Sequence, residues 1–239
     1  MRPYVFAEWK KTRKLQLFMI GMAFLVFSSF IGLGAYFANR AVLIDKTQSL
    51  VLWGQLTFYN STLLYPPMLA IIVGQLLMPE FERKNIEMLK ANQVSMDKLY
   101  FGKLLSGFFL ILSVQLFLIL IFVVAAKVDG ISFDLSLAVH IKWLLLSVVA
   151  SFPIMTLQSF VTAKTRNFSK AVGVATIGSM LNFVLIFINE NLTKFFPYSQ
   201  PMIALRSRSL TDLTIFLVVN SLYSLLFYKL TVAALKKNE

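Results

Sequence analysis

The sequence predicts an all-α polytopic membrane protein with six transmembrane helices, and three observations carry that reading. Of the 239 residues, 58% are hydrophobic and only 14% charged, against about 25% charged in ordinary soluble chains; the mean hydropathy is +0.74. Second, Leu15 to Asn39, Thr47 to Pro79, Leu104 to Ala126, Trp143 to Ala163 and Ala171 to Asn189 contain no charge, and Leu213 to Leu235 contains only Lys229 near its end. Crossing a bilayer core takes roughly 20 apolar helical residues, and a lysine near a helix end can reach the headgroups through its stem. Third, the basic residues are sorted by side. Sixteen precede span 1, lie between spans 2 and 3 or 4 and 5, or close the chain; seven lie in the other connections. Basic residues near helix ends are biased to the cytoplasm, so both termini are expected inside.

Taken in order, the N-terminal stretch PYVFAEWKKTRKLQ mixes Phe6 and Trp9 with Lys10, Lys11, Arg13 and Lys14. At helical spacing Val5 and Trp9 share a face. This reads as an interfacial amphipathic helix, with Trp at headgroup depth and the basic residues facing anionic lipid; the alternative is a basic tail that only sets topology. Span 1 is expected at about 15–38. No A-x-A-like cleavage site follows it, so it reads as a retained helix.

Span 2 is expected at about 57–78 and holds Pro66 and Pro67, which remove backbone donors and should kink it. After it, PEFERKNIEMLKANQVSMDKLYFGK gathers nine charges. Glu80 with Lys84 and Arg83 with Glu87 are i,i+4 pairs, so Glu80 to about Asn92 should be helical. On that helix Phe81, Met88 and Leu89 form a narrow apolar stripe. A solvated connector is one reading. A docking surface for a partner is the other: helix connections usually take 2 to 8 residues, and topology asks for no acid here. Ser95 with Asp97 reads as the cap that starts span 3, at about 102–126.

Span 4, about 142–163, carries Pro153 and should also kink. Span 5, about 170–189, carries Gly173 and Gly178, which permit close approach. The segment from Glu190 to Ser209, with two prolines and adjacent phenylalanines, is too polar to span and too apolar for a solvated linker. It should pack back on the helix ends, as a lid over an exit or as a static cap. Span 6, about 212–235, completes a single domain covering 1–239.

Enzymatic signatures are absent from the sequence. There is no G-x-x-x-x-G-K-[ST] to cradle phosphates and no H-E-x-x-H. The only histidine is His140, and there are no cysteines, so neither a metal site nor catalysis is expected. The +12 charge lies scattered over loop ends rather than in the contiguous patch that nucleic acid needs. No carboxylate lies within the apolar stretches, which argues against ion-coupled transport and puts the energy source elsewhere. Asn60, Gln75, Gln115, Gln158, Asn182 and Asn220 are the polar side chains that either bond between helices or line a substrate path.

An amphipathic N-terminal helix, six spans, a charged helix after span 2 and a proline-bearing segment between spans 5 and 6 resemble the ABC-2 type permeases over the whole chain. Glu80 and Glu87, a short gap and Lys103 entering span 3 are similar to that family's charged coupling segment. The proline and basic residue common before the third span are replaced here by Gln93, Val94 and Ser95. In size and plainness the chain looks most like the lantibiotic-immunity permeases. The resemblance implies a cytoplasmic coupling helix on which two ATPase subunits dock through Glu80, Phe81, Arg83, Lys84, Glu87, Met88 and Leu89, with the N-terminal helix as a second docking element. ATP and Mg would be bound by those subunits and no cofactor by this chain. It further implies a second permease, identical or homologous, a bacterial cytoplasmic membrane, and export of an amphipathic antimicrobial peptide. Export of a self-made peptide, lipid or hydrophobic drug, and a non-transporting scaffold or sensor, remain the alternatives.

Overall fold

A computed structural model describes residues 2–44, 47–82, 85–132, 135–206 and 209–237, and among them the chain is helix and connecting turn without a strand. Six helical stretches are long and apolar enough to cross a membrane: Lys14–Ala38, Gln48–Phe81, Met96–Val128, Leu137–Thr165, Phe168–Ile188 and Thr211–Lys236. The helical elements are α1 (Arg2–Lys11), α2 (Lys14–Ala38), α3 (Gln48–Tyr59), α4 (Tyr65–Phe81), α5 (Asn85–Ala91), α6 (Met96–Val128), α7 (Leu137–Val149), α8 (Ser151–Thr165), α9 (Phe168–Ile188), α10 (Glu190–Thr193), α11 (Gln200–Ala204) and α12 (Leu210–Lys236).

Prolines shape the second and fourth spans. Pro66 and Pro67 cannot donate to the carbonyls of Thr62 and Leu63, and the chain widens into a π turn over Asn60–Leu64 before α4 resumes. Pro153 likewise cannot donate to Val149, and α7 gives way to α8 at Ala150. Polar side chains start the later helices: Ser95 accepts from the Lys98 amide, Asn167 from Lys170 and Ser209 from Asp212. Arg166, at φ 47°, turns the chain left-handed out of α8.

Spans 2 and 4 form the centre. In the most apolar stretch of span 2, 72% of residues are buried, against 28% in α9 and in α12. The outer helices thus turn most of their apolar side chains, such as Ile177, Phe187 and Leu225, away from the protein, as suits a lipid-facing surface. α8 packs on α4, α9 and α12, while α2 packs on α3 and α6. Leu56, Leu69, Ile72, Ile111, Leu118, Leu144 and Ile154 fill the space between them. Gly32 lets α2 and α3 meet backbone to backbone, since a Cβ there would lie 2.4 Å from the Gln55 carbonyl oxygen. Gly173 faces open space instead, so it serves no close approach within this chain.

The segment after span 2 differs from the single helix expected over Glu80 to Asn92. α4 runs through Pro79 to Phe81, Glu82 is extended (φ −77°, ψ 145°), and α5 begins afresh at Asn85. The wheel that aligned Phe81 with Met88 and Leu89 therefore does not apply across the break.

Candidate functional site

Two polar clusters lie in this bundle, one at the end where α1, α5 and the start of α6 meet and one near mid-length of the spans. The first gathers around Lys103, about two turns into α6. Its helical neighbours Leu99, Ser106 and Leu110 are buried, so the same face carries the ammonium inward. An ammonium has three donors, and each meets an acceptor. Nζ lies 2.8 Å from Glu8 Oε2, 2.7 Å from Glu80 Oε1 and 2.8 Å from the Leu76 carbonyl oxygen. Glu8, Glu80 and Lys103 are 4%, 3% and 5% exposed. The second oxygen of Glu8 accepts from Lys11 at 3.1 Å, and that of Glu80 accepts from the Asn85 amide at 2.6 Å. Two carboxylates are thus matched by two ammonium groups.

The cluster draws on four elements: α1 supplies Glu8, α4 Glu80, α6 Lys103, and α5 the Asn85 at its first position. Two further bonds hold the same end. Tyr228 of α12 donates to Asp97 at 3.0 Å, and Lys90 of α5 donates to the Lys237 carbonyl at 2.9 Å.

The residues expected to dock a partner divide accordingly. Glu80 points into the protein and is engaged there. Phe81 and Leu89 are half-buried against the core, with the Arg166 guanidinium 5.8 Å above the Phe81 ring. Glu87 is exposed and Met88 is 57% exposed. Arg83 and Lys84 lie outside the described residues. On α1, Phe6, Lys10 and Lys11 are exposed, as is Arg13 beyond its end, while Trp9 is half-buried edge-on to Phe109, at 6.2 Å between ring centres.

The second cluster holds the segment between spans 5 and 6, which reaches in from the opposite side to near mid-length of the spans, where Tyr198 meets Gly178 and Gln158. Tyr198, Ser199 and Gln200 are 5%, 0% and 0% exposed. The Gln158 amide donates to the Tyr198 hydroxyl at 2.7 Å. Burial pushes that hydroxyl's pKa up, more than the Gln158 bond pulls it down. Asn182 accepts from Ser199 and donates at 3.3 Å to the Thr62 carbonyl, the one that Pro66 leaves without its helical donor. Asn220 donates to Gln200 at 2.8 Å, and Gln200 donates to the carbonyls of Lys194 and Phe196, each at 3.0 Å. Trp53 donates to the Leu205 carbonyl at 2.9 Å. The Tyr198 ring fills the notch left by Gly178, where a Cβ would lie 2.5 Å from it.

Of the six polar span residues singled out, Gln158, Asn182 and Asn220 therefore converge on this one segment. Gln115 instead joins α6 to α7 by donating to Ser147 at 3.2 Å. Asn60 is buried in the π turn, and Gln75 is exposed on the side of α4.

Sequence reasoning did not single out Glu8 or Lys103 as site residues, nor Tyr198, Ser199 and Gln200. Lys103 was legible: positions 99, 103, 106 and 110 form one interior stripe, and a lysine on it must find a counter-charge. Glu8 carried a weaker signal as the lone acid in a basic N-terminal stretch. The outer residues gave none, because their partners lie up to 40 positions away.

Comparison with known proteins bears mainly on the first cluster. A family model described as ABC-2 family transporter protein matches residues 4–182, from α1 into α9, and so includes Glu8, Glu80 and Lys103 but not the Tyr198 segment. No curated protein and no solved structure matches the chain.

Proposed function

The chain belongs to the ABC-2 transporter family and is a membrane permease subunit; on that premise we propose that it exports amphipathic antimicrobial peptides with separate ATPase subunits docked at its α5 end. That end lies in the cytoplasm, both termini are cytoplasmic, and the membrane is the bacterial cell membrane. Two ATPase copies, binding ATP and Mg, serve a pair of permeases made of this chain and a second copy or homologue.

The observation that supports the docking reading is the way α5 is anchored. Its first residue, Asn85, is bonded to Glu80, and Glu80 to Lys103, so α5 is tied to spans 2 and 3 while Met88 and Glu87 stay exposed. A small exposed helix on a rigid base passes force from a partner to the spans it is bonded to. ATP-driven closure of the ATPase pair then biases the permease through contacts that differ between its two states. Met88 is the apolar anchor and Glu87 the charged rim. Phe81 and Leu89 brace it from beneath, and the positive charge of Arg83 and Lys84 contributes to the choice of partner.

At the far end, the Tyr198 segment is the closure over the exit. Gln158, Asn182 and Asn220 hold it shut, and they line the path once it moves. The peptide substrate rests on the likeness in layout to immunity permeases. Cells expressing the chain with its ATPase should tolerate more lantibiotic than cells carrying the ATPase alone. Unchanged tolerance, with the complex assembled and hydrolysing ATP, would leave the permease reading standing and remove the peptide.

A further inference from the structure

A groove runs between α1 and α6 with a cavity volume of about 850 Å³, within the ~300–1,000 Å³ of built ligand sites. Phe6 and Trp9 form one wall and Phe101, Leu105, Phe109 and Leu116 the other, with Ser113 between the last two. From Phe101 to Leu116 the α6 wall measures about 22 Å at the α-helical rise, more than the roughly 15 Å depth of one leaflet's hydrocarbon. The groove therefore admits an extended acyl chain along its length.

Cations border its α1 wall. Lys10 Nζ sits 4.6 Å from the centre of the Phe6 ring and Lys14 Nζ 4.8 Å from that of Trp9. The rings that wall the groove thus carry ammonium groups on their faces, and Arg13 lies exposed between them in sequence. Among the described residues, no carboxylate pairs with Lys10, Arg13 or Lys14. Glu8, the only acid on α1, is turned inward onto Lys103 and Lys11.

We propose that this groove is a discrete site for one anionic phospholipid, taken from the leaflet that borders α1. An acyl chain lies along Leu105, Phe109, Ser113 and Leu116, and the phosphate rests on Lys10 and Lys14. An apolar slot alone gives a lipid little reason to leave the bilayer, because tails are as apolar as the slot. The cations supply the preference, and the slot fixes where the lipid sits. This goes beyond the transport reading and does not depend on it, because lipid occupancy is read without the ATPase.

The test is quenching of Trp9 in the full chain, reconstituted in phosphatidylcholine vesicles holding a small fraction of lipid with brominated acyl chains. The brominated lipid is either phosphatidylglycerol or phosphatidylcholine. Trp53 and Trp143 are buried, and their background is subtracted with Trp9→Phe. Brominated phosphatidylglycerol should quench with at least about fivefold higher apparent affinity, the effect of one lysine near an anionic surface. Lys10→Gln with Lys14→Gln should bring the two lipids to parity. Ser113→Phe, which obstructs the slot and leaves every charge in place, should do the same. Equal quenching of the native chain by both lipids overturns the proposal. A preference that survives Ser113→Phe also overturns it, being general attraction to the surface. Absence of quenching by either lipid means a second protein copy covers the groove, and overturns it too.

Discussion

Lys103 decides more about this protein than any other single residue. Its three donors are spent on Glu8, Glu80 and the Leu76 carbonyl, so removing the ammonium leaves two buried carboxylates with Lys11 as their one counter-charge, on Glu8, and Glu80 with only the neutral Asn85 amide. Uncompensated buried charge of that kind costs about 3–5 kcal/mol. Lys103→Met should therefore lower the thermal unfolding midpoint in detergent markedly, whereas Lys98→Met, on the exposed side of α6, should leave it nearly unchanged. Equal midpoints for the two variants would mean the cluster does not hold the fold together. The same residue shows why Glu80 is turned inward rather than left on a helix surface. An i,i+4 pair such as Glu80 with Lys84 stabilises a surface helix by about 0.2–0.5 kcal/mol. Glu80 instead gives one oxygen to Lys103 and the other to Asn85, in a buried setting where a missing partner costs far more.

Among the elements, the long spans were legible because charge is excluded from lipid, and their irregularities because proline cannot donate. The π turn before Pro66 and the break before Pro153 follow from that one missing N–H. Span bounds were less legible: the second span begins at Gln48, where Gln48, Ser49 and Gln55 dilute the apolar signal. Folding back of the outer segment was readable from its composition, but its seat was not, since it depends on tertiary pairs such as Asn182 with Ser199. That seat has a direct consequence. The chain has no cysteine, so single cysteines report cleanly on access. Phe195→Cys, at a position 58% exposed, should react quickly with a water-soluble thiol reagent, and Met202→Cys, at one 2% exposed, slowly. Adding Gly178→Ala, which crowds the Tyr198 ring, should raise the rate at position 202. Similar rates at both sites in the native background would show that the segment is not held inside the bundle.

At the scale of the whole molecule, one cluster occupies the α5 end of the central helices and the other lies near their mid-length. α4 carries Glu80 at one end and follows the Thr62 carbonyl bonded by Asn182 at the other; α8 carries Gln158 and packs on α4 and α12. In the proposed cycle, a push on α5 enters α4 and α6 through Glu80 and Lys103, and α4 carries it to the Thr62 turn that Asn182 ties to the outer segment. Family membership was legible from the order of elements, while the means of connection depended on which side chains the fold buries. The measurement that bears most directly on this account is ATP hydrolysis by the partner ATPase when mixed with the reconstituted chain, native or carrying Met88→Asp. Native chain should bind the ATPase and stimulate hydrolysis, and Met88→Asp, exposed and distant from the core, should fold normally but lose both. Full stimulation by Met88→Asp, or none by the native chain, would contradict the account.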